Sequence, residues 1–120
     1  MLQADILQDF RSKMSQYTQY MSNGYIKDST GNDIFPHQYQ EFNVLSSFIG
    51  VSITWEAFLE NSFISYMLGE VTVTGKIIKR YTLPNNSDHA HKILIGTQKY
   101  VDWANPEIVV KLAALHFENG

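Results

Sequence analysis

Apolar residues recur at spacings of three and four along most of the chain, which is the pattern of one face of an α-helix. The first stripe predicts a helix that ends near Asn23-Gly24, with an inner face of Leu2, Ile6, Phe10, Met14, Tyr17 and Met21. The second stripe predicts a helix of more than about 30 residues that opens at Pro36 and ends at Gly69. Its inner face is predicted to comprise Phe42, Leu45, Ile49, Trp55, Leu59, Phe63 and Tyr66.

Two further segments carry turn and strand signals rather than a helical period. Turn-forming residues fill positions 27–36, and the flanking pairs Tyr25-Ile26 and Ile34-Phe35 are predicted to meet as a short hairpin. Thr74-Gly75 lies among β-branched residues, which predicts either a small β-hairpin or an extended arm between helices.

The last third of the chain predicts two shorter helices. Ser87 is expected to cap the first of them, which runs through about Ile95. Asn105-Pro106 opens the final helix, whose inner face is expected to hold Ile108, Leu112, Leu115 and either His116 or Phe117. These elements predict a mainly α fold, a helical bundle, and 120 residues suit a single domain spanning positions 1–120.

The middle of the long second helix is unusual because small residues alternate with large apolar ones. The small residues are Ser46, Ser47, Gly50, Ser52 and Thr54. They allow another backbone to approach closely, which predicts a helix at the centre of the bundle rather than at its rim. Close packing within the chain is the favoured interpretation, and a helix-helix dimer face is the alternative.

Charge and composition narrow the functional classes. A net charge of -3 and a pI of about 5.7 argue against a nucleic-acid-binding surface that covers the whole protein. The chain has no cysteine, which excludes thiol chemistry and fits a reducing compartment. The uncharged run from Phe42 to Trp55 is shorter than the roughly 18 residues of a membrane span, and no export signal is visible. We therefore expect a soluble, cytoplasmic protein without a membrane partner.

Few residues in the sequence are candidates for acid-base catalysis or metal binding. Glu56 and Glu60 are four positions apart and share a helix face, so they can present paired carboxylates for acid-base work or for a metal, although a solvated edge is the more common use. His89 and His91 are only two positions apart, so on a helix they point to different faces and make a poor metal pair. We expect no metal and no cofactor, and the sequence identifies no catalytic residue.

Lys76, Lys79 and Arg80 form the one basic concentration in the sequence, with Tyr81 beside them. Such an arm can contact phosphates while the aromatic ring stacks on a base, which makes these three residues the candidate nucleic-acid-binding site. The alternative is a solvent-exposed strand edge whose lysines prevent aggregation with another strand.

Two segments of the sequence are distinctive: Trp55-Glu56-Ala57-Phe58-Leu59-Glu60 on the long helix, and Lys99–Glu107, which opens the final helix. Together they resemble the HEPN superfamily, most closely its RiboL-PSP-HEPN or MAE-like branch. The resemblance covers most of positions 38–120. It implies a helical bundle that often forms a homodimer and, in many members, a metal-independent endoribonuclease of a bacterial toxin-antitoxin or antiphage system.

The chain departs from the family at the catalytic motif, an Arg followed after four to six residues by a His. Arg80 precedes His89 by too many residues, and Pro84 interrupts any helix between them. The family's catalytic helix would begin near Asn119-Gly120. The sequence therefore leaves two expectations. In the first, the chain is an N-terminal fragment of a ribonuclease or RNA-binding protein, whose partners are RNA and an antitoxin protein. In the second, it is a non-catalytic helical module for dimerisation or interaction.

Overall fold

The computed structural model of the chain describes residues 2–96 and 101–118. Within these ranges it contains four helices: α1 (Gln3–Asn23), α2 (His37–Met67), α3 (Ser87–Ile95) and α4 (Pro106–His116). The prediction of a mainly α helical bundle is confirmed. Lys99 and Tyr100, which begin the second HEPN-like segment, lie outside the described residues, as do Asn119 and Gly120.

Local chemistry sets most of the helix ends. Pro36 stands directly before α2, and its carbonyl accepts the amide protons of Tyr39 and Gln40. Gly69 follows α2 with a φ of 94°, a left-handed conformation that glycine adopts without strain. The Asn105 side chain accepts the Glu107 amide proton at 3.1 Å and so caps α4.

The predicted cap of α3 is wrong by one residue. Asn86, rather than Ser87, is the cap, because its side-chain oxygen accepts the His89 amide proton at 2.8 Å. Ser87 is the first helical residue. Both residue types satisfy free amide groups at a helix start, so the sequence did not distinguish them.

The chain divides into two compact units. Unit 1 comprises Met1–Gln8 and Glu56–Gly120, and unit 2 comprises Asp9–Trp55. Each of the long helices α1 and α2 contributes a segment to both units.

Unit 1 holds the apolar core of the described residues. Its centre is formed by the end of α2 together with α3, α4 and the segment before α4, and consists of Phe63, Met67, Ala90, Leu94, Trp103 and Phe117. The Phe63 ring lies 5.4 Å from the ring of Trp103 and 5.0 Å from that of Phe117. The inner face of α4 differs from the prediction at one position, because Leu115 is 62% exposed whereas His116 and Phe117 are both buried.

Unit 2 is built differently, because none of its residues belongs to the buried apolar set of the described chain. Its buried positions are Gly24, Gln40, Ser47 and Thr54. The apolar residues of α1 in this unit are only partly buried; they are Phe10, Met14, Tyr17 and Met21. Unit 2 therefore gains little hydrophobic stabilisation from its own residues.

The loop between α1 and α2 forms a single antiparallel bridge, between Lys27 and Asp33. The Ile34 amide donates to the Ile26 carbonyl at 3.0 Å, so the predicted hairpin is reduced to this short pairing. Hydrogen bonds to the Asp28 carboxylate from the Thr30 hydroxyl and the Asn32 amide close the turn and hold the pKa of Asp28 below its ordinary value.

Candidate functional site

Five large apolar side chains of α2 in unit 2 point away from the rest of that unit. We call them the α2 apolar face: Phe42, Leu45, Phe48, Ile49 and Ile53. Each is 60–68% exposed. Four of them, at positions 42, 45, 49 and 53, follow a helical spacing of three or four and form one line along α2. Contiguous apolar surface of this kind marks a contact with another molecule more often than isolated exposed residues do.

The opposite side of α2 explains why these side chains face outwards. Gln40, Ser47 and Thr54 are spaced by seven residues, and all three are buried. Gly50 lies against the ring of Tyr17, so closely that a side chain at this position would displace the ring. Asn43 donates a hydrogen bond to the Tyr20 carbonyl on the same side of α2. The small residues of α2 thus bring α1 close, and the favoured interpretation, packing within the chain, is confirmed.

This arrangement corrects the predicted inner face of α2. Phe63 is buried and Leu59 and Tyr66 are partly buried, as expected. Phe42, Leu45 and Ile49 were predicted to face inwards but are exposed, because α1 takes the small-residue side of the helix. Trp55, also predicted to face inwards, is 44% exposed. In unit 2, α2 therefore presents one side outwards instead of lying at the centre of a bundle.

The α2 apolar face carries no charge. Acidic and basic residues are absent from the whole segment between Phe42 and Trp55. At the start of α2, His37 Nε2 lies 3.1 Å from Glu41 Oε1. A fully covered phenylalanine side chain buries roughly 150–250 Å² and a leucine or isoleucine roughly 100 Å², so these five, about two-thirds exposed, offer on the order of 400 Å². That is about half of the roughly 800 Å² per partner of a standard protein interface.

By length and composition alone, α2 is also able to cross a membrane. Its most apolar 18-residue stretch has a mean hydropathy of 1.3, and 17% of that stretch is buried. One helix with these properties is weak evidence and is compatible with a soluble protein. The expected soluble state is therefore permitted by the structure.

The predicted basic site lies on the segment that connects α2 to α3. A tight turn forms its tip, where the Thr72 amide donates to the Lys76 carbonyl at 2.9 Å and Gly75 has a φ of 85°. Lys76 and Lys79 are exposed. The segment is an extended arm, and among the described residues its β pairing consists of one antiparallel bridge, from Arg80 to Phe117.

Arg80 differs from the two lysines because its guanidinium group is already engaged. Its Nη1 donates to the Met67 carbonyl at 3.0 Å, and the group lies against Gly69. The last turn of α2 has no basic residue of its own, so Arg80 satisfies a carbonyl at the negative end of the helix dipole. Arg80 thus has a structural contact that the two lysines lack, and contact of all three residues with phosphate stays a prediction.

Among the acidic and histidine candidates, Glu60, His89 and His91 have contacts within unit 1. His91 Nδ1 lies 3.1 Å from Glu60 Oε1, and His89 Nδ1 accepts the Asn85 amide proton at 2.9 Å. Across residues 2–96 and 101–118, no three side chains of His, Asp or Glu converge on a point that could hold a metal ion.

Sequence reasoning assigned no contact to His116. The side chain is buried in unit 1, where its Nδ1 is 2.7 Å from the Thr82 hydroxyl and its ring lies edge-on to Phe63. Burial lowers the pKa of His116 below its ordinary value. The Tyr81 amide donates to the His116 carbonyl at 2.8 Å, so this histidine also holds the basic arm against the end of α4.

The chain matches no protein-family model, no curated protein and no solved structure. The resemblance to the HEPN superfamily therefore rests on the two quoted segments alone and stays a prediction.

Proposed function

We propose that this protein is a non-catalytic helical interaction module that binds another protein through the α2 apolar face. The observation that carries the proposal is the exposure of Phe42, Leu45, Phe48, Ile49 and Ile53 on one helix. Covering such a surface removes apolar area from water, which is the dominant favourable term in most protein association.

The poor core of unit 2 supports the same proposal. Its buried residues are small or polar, and its largest apolar side chains are exposed. A unit that buries so little apolar surface does not readily offset the loss of chain entropy on folding. Binding through α2 would supply the missing burial. We place this activity in the cytoplasm, consistent with the absence of cysteine.

Site-specific photo-crosslinking in living cells tests the proposal. A benzophenone amino acid replaces Phe48, and the matched control carries it at Tyr81, an aromatic residue of equal exposure (65%) outside the face. We expect a discrete protein adduct from position 48 that position 81 does not give. The absence of an adduct at position 48, or an adduct with lipid alone, would contradict the proposal.

RNA binding is a second candidate function, favoured by the exposure of Lys76 and Lys79 on the arm. Tyr81, also exposed, lies two residues beyond Lys79 and presents an aromatic ring for stacking. In the HEPN interpretation this surface would serve an endoribonuclease with an antitoxin partner, and cleavage by the full gene product would survive a chelator.

Replacing Lys76 and Lys79 with glutamine is expected to weaken binding to single-stranded RNA roughly tenfold, because two phosphate contacts are lost. The slope of log affinity against log salt concentration should become shallower by about two. Fluorescence anisotropy at two salt concentrations measures both effects. The matched control is Lys13→Gln with Lys111→Gln, since both of these lysines are exposed elsewhere in the chain. Equal affinities for the two double variants would contradict a role for the arm.

A further inference from the structure

We infer that a cleft at the start of α2 receives a tryptophan or tyrosine side chain of the partner protein. This inference rests on the proposed function and names the residue type that anchors the partner. The cleft has a volume of about 340 Å³, at the lower end of the roughly 300–1,000 Å³ of ligand pockets, so it suits a ring-sized group. We call it the aromatic cleft, and its lining side chains are Tyr20, Asn23, Ile26, Phe35, Tyr39 and Asn43.

The aromatic rings of the cleft are held by neighbours within unit 2. The end of α1, the loop that follows it and the first turns of α2 bring the lining together. The Phe35 and Tyr39 rings stack with 4.6 Å between their centroids and 22° between their planes, so they form one wall. The Tyr20 ring lies edge-on to that of Tyr17, with 6.1 Å between their centroids. Rings positioned in this way lose less freedom when a ligand binds.

The charge of the aromatic cleft restricts what can enter it. None of the residues that line it is acidic or basic. The charged residues of the adjoining loop, Lys27 and Asp33, form an ion pair with each other. A charged ligand group would lose its hydration in the cleft without meeting an opposite charge. Phe35 and Tyr39 are close to parallel, so they do not surround a cation as the rings of an aromatic cage do. The lining therefore favours an uncharged ring.

The polar groups of the cleft select a ring that carries a hydrogen-bond donor. Asn43 Nδ2 already donates to the Tyr20 carbonyl, which holds the amide in place and leaves its Oδ1 as an acceptor. A phenylalanine or leucine side chain of a partner would cover this oxygen without supplying a donor, which costs free energy. The indole N–H of tryptophan and the O–H of tyrosine each place one donor on an aromatic ring.

The apolar share of the lining argues against a sugar as the occupant. Three aromatic rings and Ile26 outweigh the two asparagine amides. A sugar ring carries hydroxyl groups on most of its carbons, and two amides leave several of them without a partner. An indole or phenol has a single polar atom, so it buries the rest of its surface against the rings of the cleft.

The aromatic cleft is continuous with the α2 apolar face. Tyr39 lies three positions before Phe42 and four before Asn43, so it borders both surfaces. The face alone offers about half of the area per partner of a standard interface. Tyr20, Ile26 and Tyr39 are still 46–49% exposed and extend it. Tryptophan and tyrosine inserted into pockets carry much of the binding energy of protein interfaces, so an anchor here would strengthen binding through the face.

Titration of isotope-labelled protein with N-acetyl-tryptophanamide, followed by NMR, tests the cleft without the partner. We expect a dissociation constant on the order of 1 mM, with shift changes at the side-chain amides of Asn23 and Asn43. The 1-methyl-indole analogue lacks the N–H donor and should bind roughly fivefold more weakly. Equal binding of the two compounds, or shift changes outside the cleft, would overturn the assignment.

A pair of tyrosine variants gives the matched comparison. Tyr39→Ala removes half of the ring wall and is expected to weaken binding of N-acetyl-tryptophanamide roughly tenfold. Tyr25 is equally exposed, at 50% against 47%, but does not line the cleft, so Tyr25→Ala should bind as the native chain does. The analogue without the donor is tested on the native chain, so its result holds even if Tyr39→Ala does not fold.

Further small molecules represent the other occupants. N-acetyl-leucinamide, N-acetyl-argininamide, methyl glucoside, adenosine and choline stand for an apolar side chain, a charged side chain, a sugar, a nucleoside and a quaternary ammonium group. Each is expected to bind more weakly than N-acetyl-tryptophanamide. Tighter binding of any of them would contradict a tryptophan or tyrosine anchor.

Photo-crosslinking separates this inference from the proposed function. A benzophenone amino acid at position 23, which is exposed and lines the cleft, should capture the same protein as the one at position 48. The crosslinked partner peptide should contain tryptophan or tyrosine. A protein captured at position 48 but not at position 23 overturns the anchor and leaves the interaction module standing. If neither position captures a protein, both proposals fail.

Discussion

Replacing Phe63 with alanine is expected to lower the free energy of unfolding of unit 1 by about 3–5 kcal/mol. The side chain is buried at the centre of the core, where its ring contacts those of Trp103 and Phe117. Removing it deletes the transfer energy of the ring and leaves a cavity that the surrounding aromatic residues can fill only in part. Urea unfolding followed by tryptophan fluorescence measures the change.

The experiment is best made in a Trp55→Phe background, because Trp103 then reports on unit 1 alone. Phe63→Leu keeps most of the volume and should cost only about 1.5 kcal/mol or less. Leu83→Ala removes an exposed side chain and should change the free energy by less than about 0.5 kcal/mol. A Phe63→Ala effect no larger than that of Leu83→Ala would show that the core lies elsewhere.

Replacing Arg80 with alanine is expected to cost about 1.5–3 kcal/mol of stability, the range for a hydrogen bond from a charged group. The variant loses the bond from the guanidinium to the Met67 carbonyl and the contact with Gly69. Because α2 has no other basic residue in its last turn, no neighbouring side chain on that helix replaces the interaction. Urea unfolding again provides the measurement.

The matched control for Arg80 is its neighbour Lys79, an exposed residue whose replacement with alanine should change stability by less than about 0.5 kcal/mol. Arg80→Lys should fall between the two, since a lysine keeps the charge but not the planar fork of donors. If Arg80→Ala and Lys79→Ala have equal effects, Arg80 is free for phosphate contact, as the sequence first suggested.

Helix positions were the most predictable part of this fold, because their signals are local. Pro36 and Asn105-Pro106 fix the starts of α2 and α4, and Gly69 fixes the end of α2, through the chemistry of one or two residues each. The predicted and observed ends of the helices accordingly agree within one or two residues. The cap of α3 failed only because two good capping residues stand next to each other.

The burial of α2 was less predictable, because an apolar stripe shows that a helix face will be covered but not which molecule covers it. In the sequence, the stripe from Phe42 to Tyr66 reads as one continuous inner face. Its first half is exposed and its second half packs in unit 1. The available signal was the seven-residue spacing of Gln40, Ser47 and Thr54 around Gly50, which indicates where α1 approaches.

The site on the arm shows a similar limit. Clustering of Lys76, Lys79 and Arg80 in the sequence suggested one surface with one role. Only the three-dimensional position of the Met67 carbonyl distinguishes the arginine from the lysines. A partner that lies 13 positions away along the chain leaves no local trace in the sequence.

Unit 1 combines residues that precede unit 2 in the chain with residues that follow it, so its folding depends on the order of synthesis on the ribosome. Ile6 is buried in unit 1, near Ile64 and Leu68. These packing partners are synthesised almost 60 residues after it. During that interval α2 emerges with its apolar face uncovered, before the core at Trp103 and Phe117 exists. The nascent chain is thus most prone to aggregate in this window, because the apolar face of α2 is exposed before unit 1 can be completed.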